Sequence, residues 1–240
     1  MEVLSQKQPM KPSELAKQLN LTRSNIYRLL VTLQEMGYVE RAADATHSLT
    51  MKMFMVGSAV LDMKEVSKVA RPYIAHLAEI SQECAHLGIM YDNKVLYIEQ
   101  VKIKHYLTLD YPVGQTDQLY CTALGKVLLT GLNEVQLEAW VRSTNLVRYT
   151  ENTITDPDVL LGVIRNVKKQ DYAIDNEERY AGIKCVGTPI YDYTNKIVAA
   201  ISISGPAVRL TNEKIEELKP LLIEVSEEIS RKMGWSNFGM

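Results

Sequence analysis

At 240 residues the chain has room for one or two domains. Hydrophobic residues make up 46% and charged residues 23%, with a formal net charge of −2, which is ordinary for a soluble cytoplasmic protein. No apolar stretch approaches the length of a membrane span and no signal peptide opens the chain, so a membrane partner is not expected and the cytosol is.

The first informative segment runs from Pro12 to Thr50. Ser13 is a candidate N-cap, with Leu15, Ala16 and Leu19 on one face of a first helix that ends by Leu19. Asn20 tolerates the left-handed conformation of a helix C-terminus, and only Leu21 separates it from the next capping residue, Thr22. From Arg23, the apolar positions Ile26, Leu29, Leu30, Leu33 and Met36 keep helical spacing, and Gly37 ends the run. That spacing leaves Arg23, Ser24, Asn25 and Arg28 outward, as in a recognition helix entering the major groove. Tyr38 to Arg41 and His47 to Thr50 alternate as two strands around residues 42–46, which makes a wing. The pattern is that of a winged helix-turn-helix, and it points to double-stranded operator DNA as a partner. A plain packing motif is the alternative, because six Lys/Arg against five Asp/Glu over residues 1–50 leave no strong electrostatic footprint.

Thr50 can cap a helix running to about Asp62. Its wide apolar surface, with Met51, Met53 and Met55 in five residues, fits either a linker that contacts a second subunit or burial against its own domain. Paired half-sites on DNA favour a dimer.

The remaining ~180 residues are enough to bury roughly 70% of their unfolded surface. A helix from Ser67 precedes strands at Leu87 to Tyr91, Val95 to Val101 across an Asp92-Asn93 turn, and Tyr106 to Leu109. Helices follow at Ala123 to Thr130, at Glu134 to Arg142, and from Thr155-Asp156-Pro157 to Gln170. Strands resume at Tyr172 to Asp175, Lys184 to Tyr191 and Ile197 to Ser204, and a last helix spans Thr211 to Met233, kinked or divided at Pro220. Strands and helices segregate, so the class is α+β, an antiparallel sheet with packed helices.

Polar groups recur where these elements meet. Ser202 and Ser204 share one face of an apolar strand, Cys185 lies on the strand before it, and Asp175 ends the one before that. Thr122 to Lys126 opens a helix whose first amides, at Ala123 and Leu124, suit an anionic group. Together these predict a small site for a carboxylate, although each alone has a structural explanation. Cysteine catalysis is not expected, because Cys185 has no histidine near it in sequence, although folding can bring His86 or His105 close. Cys84, Cys121 and Cys185 form no Cys-x-x-Cys pair, and the four histidines lack ligand spacing, so neither a disulfide framework, a metal site nor a cofactor is expected. There is no Gly-rich phosphate loop, Gly-x-Ser-x-Gly elbow or fixed repeat.

Four stretches carry a resemblance to the IclR family of bacterial transcriptional regulators. They are Leu21 to Val39, Leu119 to Lys126, Asp175-Asn-Glu-Glu178 with Gly182-Ile-Lys-Cys185, and Ala199 to Pro206. Leu49 to Phe54 and Asp175 to Glu178 look closer to the KdgR-like, sugar-acid branch. The resemblance implies a winged helix-turn-helix domain over residues 1–50, a linker or dimerisation helix over 51–65, and a GAF-like effector domain over 66–240. It also implies a homodimer or dimer of dimers and a small organic-acid effector, such as a keto-deoxy-gluconate, for a non-enzymatic repressor of catabolic genes. Position by position, DNA contacts fall on Thr22, Arg23, Ser24, Asn25, Tyr27 and Arg28, with His47 on the wing. Effector contacts fall on Tyr106, Leu109, Ala123, Leu124, Asp175, Cys185, Ser202 and Ser204. The rival reading is a GAF-like sensor or cysteine-dependent enzyme with a vestigial winged helix. Relative to the family, only Met1 to Gln6 precede Lys7, so the first helix is expected to be cut short, to expose Leu15, Leu19 and Leu33, and to belong to a protein starting upstream of Met1.

Overall fold

A computed structural model describes residues 1–59, 64–103 and 110–235. The chain divides into two units, Met1–Lys64 and Glu65–Met240.

The first unit opens with α1 (Glu2–Gln6), α2 (Pro12–Gln18) and α3 (Arg23–Glu35). The N-cap of α2 is Lys11 rather than Ser13: Pro12 supplies a preset φ at the first helical position, and the Glu14 carboxylate accepts from the Lys11 amide at 2.8 Å. The turn into α3 has Asn20 at φ +52°, and the Thr22 hydroxyl accepts from the Asn25 amide at 3.3 Å. Gly37, at φ +73°, stops α3. A two-stranded antiparallel wing, β1 (Val39–Arg41) and β2 (His47–Leu49), precedes α4 (Met51–Ala59).

Leu4, Met10, Leu15, Ala16, Ile26, Leu30 and Val39 form the core of this unit, with Leu33 packed partly against it. The expected exposure of Leu15 is therefore corrected: Leu4 on α1 joins the same core, short as that helix is. Leu19 is 43% exposed and edges an apolar groove of about 500 Å³ that also meets Leu29, Leu33 and Met53.

The second unit is built on a six-stranded antiparallel sheet in the order β5-β4-β3-β8-β7-β6. Its strands are β3 (Cys84–Tyr91), β4 (Lys94–Val101), β5 (Thr116–Gln118), β6 (Ala173–Asn176), β7 (Ile183–Tyr191) and β8 (Ile197–Pro206). Asp92 and Asn93, both at positive φ, close the β3–β4 hairpin. The expected strand at Tyr106 to Leu109 lies outside the described residues.

α5 (Lys64–Ser81) precedes the sheet, and α6 (Ala123–Leu129), α7 (Glu134–Ser143) and α8 (Pro157–Gln170) come between β5 and β6. α6 lies against one face, so close that a Cβ at Gly187 would stand 3.4 Å from the Ala123 carbonyl carbon. Leu124, Val127, Leu129, Leu137, Leu160 and Ile164 pack into one core behind it. α9 (Asn212–Lys232) meets the opposite face: the Thr188 hydroxyl on β7 donates to the Leu222 carbonyl at 3.5 Å, and the Tyr191 amide donates to the Ser230 hydroxyl at 2.9 Å. It passes through Pro220 as one helix rather than two. The mixed architecture is the α+β class expected, a helix-turn-helix unit followed by a curled antiparallel sheet. No helix among the described residues is long and apolar enough to cross a membrane.

Candidate functional site

α3 turns Ile26 and Leu30 into the core, which leaves the opposite side to solvent. Thr22, Arg23, Ser24, Asn25, Tyr27 and Arg28 are all exposed, Tyr27 at 60%. Two arginines, an asparagine and a tyrosine on the first turns of one helix can reach both phosphates and base edges. His47 behaves differently. Its backbone pairs with Met10 in both directions, at 2.8 and 3.0 Å, and its side chain is only 5% exposed. His47 lies on the wing as expected, but its side chain is buried rather than presented to solvent, which corrects the expected DNA contact.

The second cluster lies on the α6 face of the large sheet. Asp175 on β6 pairs with Cys185 on β7, Cys185 with Ser204 on β8, and Ser204 with Cys84 on β3. Ser202 lies one step along the same face, between Gly187 and His86. Directly paired residues share a face, so the sheet gathers Asp175, Cys185, Ser202 and Ser204 from three adjacent strands. All four are buried, as are Ala123 and Leu124 at the start of α6, where the Thr122 hydroxyl accepts from the Gly125 amide at 3.1 Å. Tyr106 and Leu109 lie outside the described residues.

Burial raises the Asp175 carboxyl to about 7, against the pull of Lys126. One oxygen of that carboxyl accepts from the Glu178 amide at 2.8 Å. The Lys126 ammonium is committed elsewhere, to the Glu178 carboxylate and the Ile174 carbonyl, while the second Glu178 oxygen has no hydrogen-bond partner among the described residues. Burial also pushes the Cys185 thiol well above its usual range, with the Asp175 charge adding to it. A thiol held protonated is a poor nucleophile.

Sequence reasoning did not assign a role to the aromatic end of this face. His86, on β3, is the cross-strand partner of Ser202, so folding does bring it beside the cluster. Burial drives its imidazole down to about 3, so the ring is neutral and cannot serve as a base toward Cys185 at ordinary pH. Tyr97 and Tyr111 stack at 4.8 Å, and His86 stands edge-on to both, at 5.6 and 5.5 Å. No periodic signal marked it, because the run from Cys84 to Ile89 is buried on both faces of the sheet and does not alternate. Among the described residues no group of three or more His, Cys, Asp or Glu is arranged to hold a metal ion.

The chain matches the family model of the bacterial transcriptional regulator IclR C-terminal domain over residues 58–231, and that of the IclR helix-turn-helix domain over residues 1–43. The HTH-type transcriptional regulator KdgR of Escherichia coli is 29% identical over 99% of this chain and 91% of its own length. The crystal structure of the Thermotoga maritima IclR has a TM-score of 0.80 at 35% identity, covering 97% of this chain and 94% of that one. An IclR homolog from Microbacterium hydrocarbonoxydans, solved in complex with 4-hydroxybenzoate, shares the fold with a TM-score of 0.83 at 20% identity, over 95% of this chain and 92% of that one. The curated relatives are transcriptional regulators, including a repressor, and not enzymes, which disfavours the cysteine-enzyme reading. With a winged helix-turn-helix in the first unit, a buried polar cluster on one sheet face of the second, and both family models matched, the chain belongs to the IclR family of bacterial transcriptional regulators.

Proposed function

We propose that this chain is a cytoplasmic repressor of catabolic genes whose hold on operator DNA is set by a small organic acid. The sugar-acid class, such as a keto-deoxy-gluconate, is the effector this reading favours, and the full-length similarity to KdgR supports it. DNA is read by Thr22, Arg23, Ser24, Asn25, Tyr27 and Arg28, paired through a homodimer or dimer of dimers so that two recognition helices reach two half-sites. Residues 1–50 are the reading head, 51–65 the linker, and 66–240 the effector domain. The acid binds against Asp175, Cys185, Ser202 and Ser204, beside the Ala123 and Leu124 amides.

The observation that carries this reading is the burial of four polar side chains on one sheet face under α6. Burying hydroxyls and a carboxyl together is costly unless something bonds to them, and a carboxylate with further oxygens supplies several acceptors at once. A ligand that prefers one arrangement of the subunits then shifts the population that fits the operator. The test is an electrophoretic mobility shift on the promoter beside the protein's own gene, with and without 2-keto-3-deoxygluconate. Selective binding at physiological salt is expected, and Asp175→Ala or Ser204→Ala should alter the ligand response while ligand-free DNA affinity stays intact. Absence of selective binding would overturn the regulator reading, and an unaltered ligand response in both variants would overturn the site.

A further inference from the structure

His86 is fully buried, yet its Nδ1 has no hydrogen-bond partner among the described residues. Its Nε2 lies 3.2 Å from the Gln100 amide nitrogen. With that amide as placed, the nitrogen can only donate, so Nε2 accepts and the neutral ring carries its one proton on Nδ1. Nδ1–H is therefore a buried donor with nothing to donate to, which folded proteins rarely tolerate. The ring is not free to turn elsewhere, because it stands edge-on against the stacked Tyr97 and Tyr111.

The position of this donor relates it to the acid cluster. His86 and Ser202 are directly paired across β3 and β8, so their side chains leave the same face as neighbours. Asp175 lies on β6, three strands away from β3, or about 14 Å at roughly 4.8 Å per strand. Ser202 and Ser204 sit between the two. The ammonium nearest the cluster, that of Lys126, stands at the Asp175 end, where it is paired with Glu178 and pulls on the Asp175 carboxyl. At the His86 end, Lys102 and Asp110 are paired with each other at 2.5 Å. A carboxylate placed against a neutral donor and two tyrosine rings would lose hydration without gaining a counter-charge, whereas a hydroxyl or carbonyl oxygen would not.

We propose that His86 is a specificity-determining residue that donates its Nδ1–H to an uncharged oxygen of the bound acid, remote from the carboxylate. The inference rests on the reading of Asp175, Cys185, Ser202 and Ser204 as an acid-binding site. It narrows the effector to acids carrying a second, uncharged oxygen and disfavours plain aliphatic or aromatic acids. A site built to bond an oxygen rejects the analogue that lacks it, because the buried donor is then left unpaired.

The experiment is isothermal titration calorimetry on the full chain with two matched pairs, hexanoate against gluconate and benzoate against 4-hydroxybenzoate. Wild type is expected to bind the oxygenated member of at least one pair about ten- to hundredfold more tightly. His86→Leu should bring that pair to within roughly threefold, by loss of the oxygenated acid's advantage. His86→Asn, whose amide nitrogen stands near the place of Nδ1, should keep the preference, and His86→Gln, which reaches the place of Nε2, should lose it. Ligand-free melting is measured for each variant, and if His86→Leu does not fold, the Asn and Gln pair decides. An unchanged ratio in His86→Leu, or equal ratios in the Asn and Gln variants, overturns the inference. So does a wild type that binds the acids with no preference in either pair. If none of the four acids binds wild type, the acid-site reading itself fails, and the inference falls with it.

Discussion

The Lys126 ammonium and the Glu178 carboxylate form an ion pair inside the second unit, with both side chains nearly sealed from water. Lys126 lies on α6 and Glu178 follows β6, so the pair ties the helix over the sheet to the turn that follows Asp175. Removing one partner leaves a buried charge unpaired, which costs about 3–5 kcal/mol. Lys126→Met is expected to lose stability in that range in urea denaturation of the full chain. The double variant Lys126→Met/Glu178→Gln should recover part of the loss, and additive losses would show that the two groups are not coupled.

Asp175 makes stability depend on pH in a definite direction. Its carboxyl holds a proton up to about 7 in the folded protein, against the ordinary carboxylate value when unfolded. Between about pH 4 and 7 the folded state therefore binds the extra proton, so this contribution is full below that window and is lost as pH rises through it. The loss from this one group approaches about 1.4 kcal/mol per pH unit inside the window. Asp175→Asn removes the titrating group, and its unfolding free energy should fall less steeply from pH 5 to 7 than that of wild type. Parallel pH profiles for the two proteins would contradict the assignment.

Two glycines should respond oppositely to alanine. A Cβ at Gly125 would lie 2.2 Å from the Leu119 carbonyl oxygen, because the chain entering α6 folds back against the helix. Neither partner is a movable side-chain tip, so Gly125→Ala should destabilise by at least about 1–3 kcal/mol. A Cβ at Gly162, within α8, meets nothing within 4 Å, and Gly162→Ala should stabilise by roughly 0.5–1 kcal/mol. Thermal melts of the two variants against wild type check both signs.

Arg28 and His47 separate DNA contact from folding. Arg28→Ala, on the open side of α3, should weaken operator binding by about 1–3 kcal/mol, or flatten the salt dependence if the contact is to phosphate, without changing the melting temperature. His47→Ala should do the reverse, because the ring is enclosed beside the Met10 bridge. Fluorescence anisotropy on labelled operator, paired with melting curves, distinguishes the two effects.

What could be read in advance followed from local rules. Thr22, Asn20 and Gly37 act within a few residues of themselves, so the helix-turn-helix and the stop of α3 were legible. The two-residue period of side chains along β8, which placed the serine pair on one face, and the Asp92-Asn93 turn are equally short-ranged. His47 was misread because its burial depends on Met10, a partner far along the chain. β5, at three residues, is too short for periodicity to register, and the first residues of β3 were hidden by a run without clear alternation. The neighbourhood of His86, Tyr97 and Tyr111 exists only once β3, β4 and the segment at residue 111 have met.

The sheet order has a temporal meaning. β3, β4 and β5 come from the earlier part of the second unit and β6, β7 and β8 from the later part, and among the described residues the two sets pair along the β3–β8 seam. His86 and Ser202 meet across that seam from on the order of a hundred residues apart in sequence. During synthesis the ribosome must release β8 before the two rows of side chains can face one another. A nascent chain thus completes its DNA-reading helices long before it owns a place for a small molecule, and a polypeptide cut short before β8 would be deaf to any effector held there.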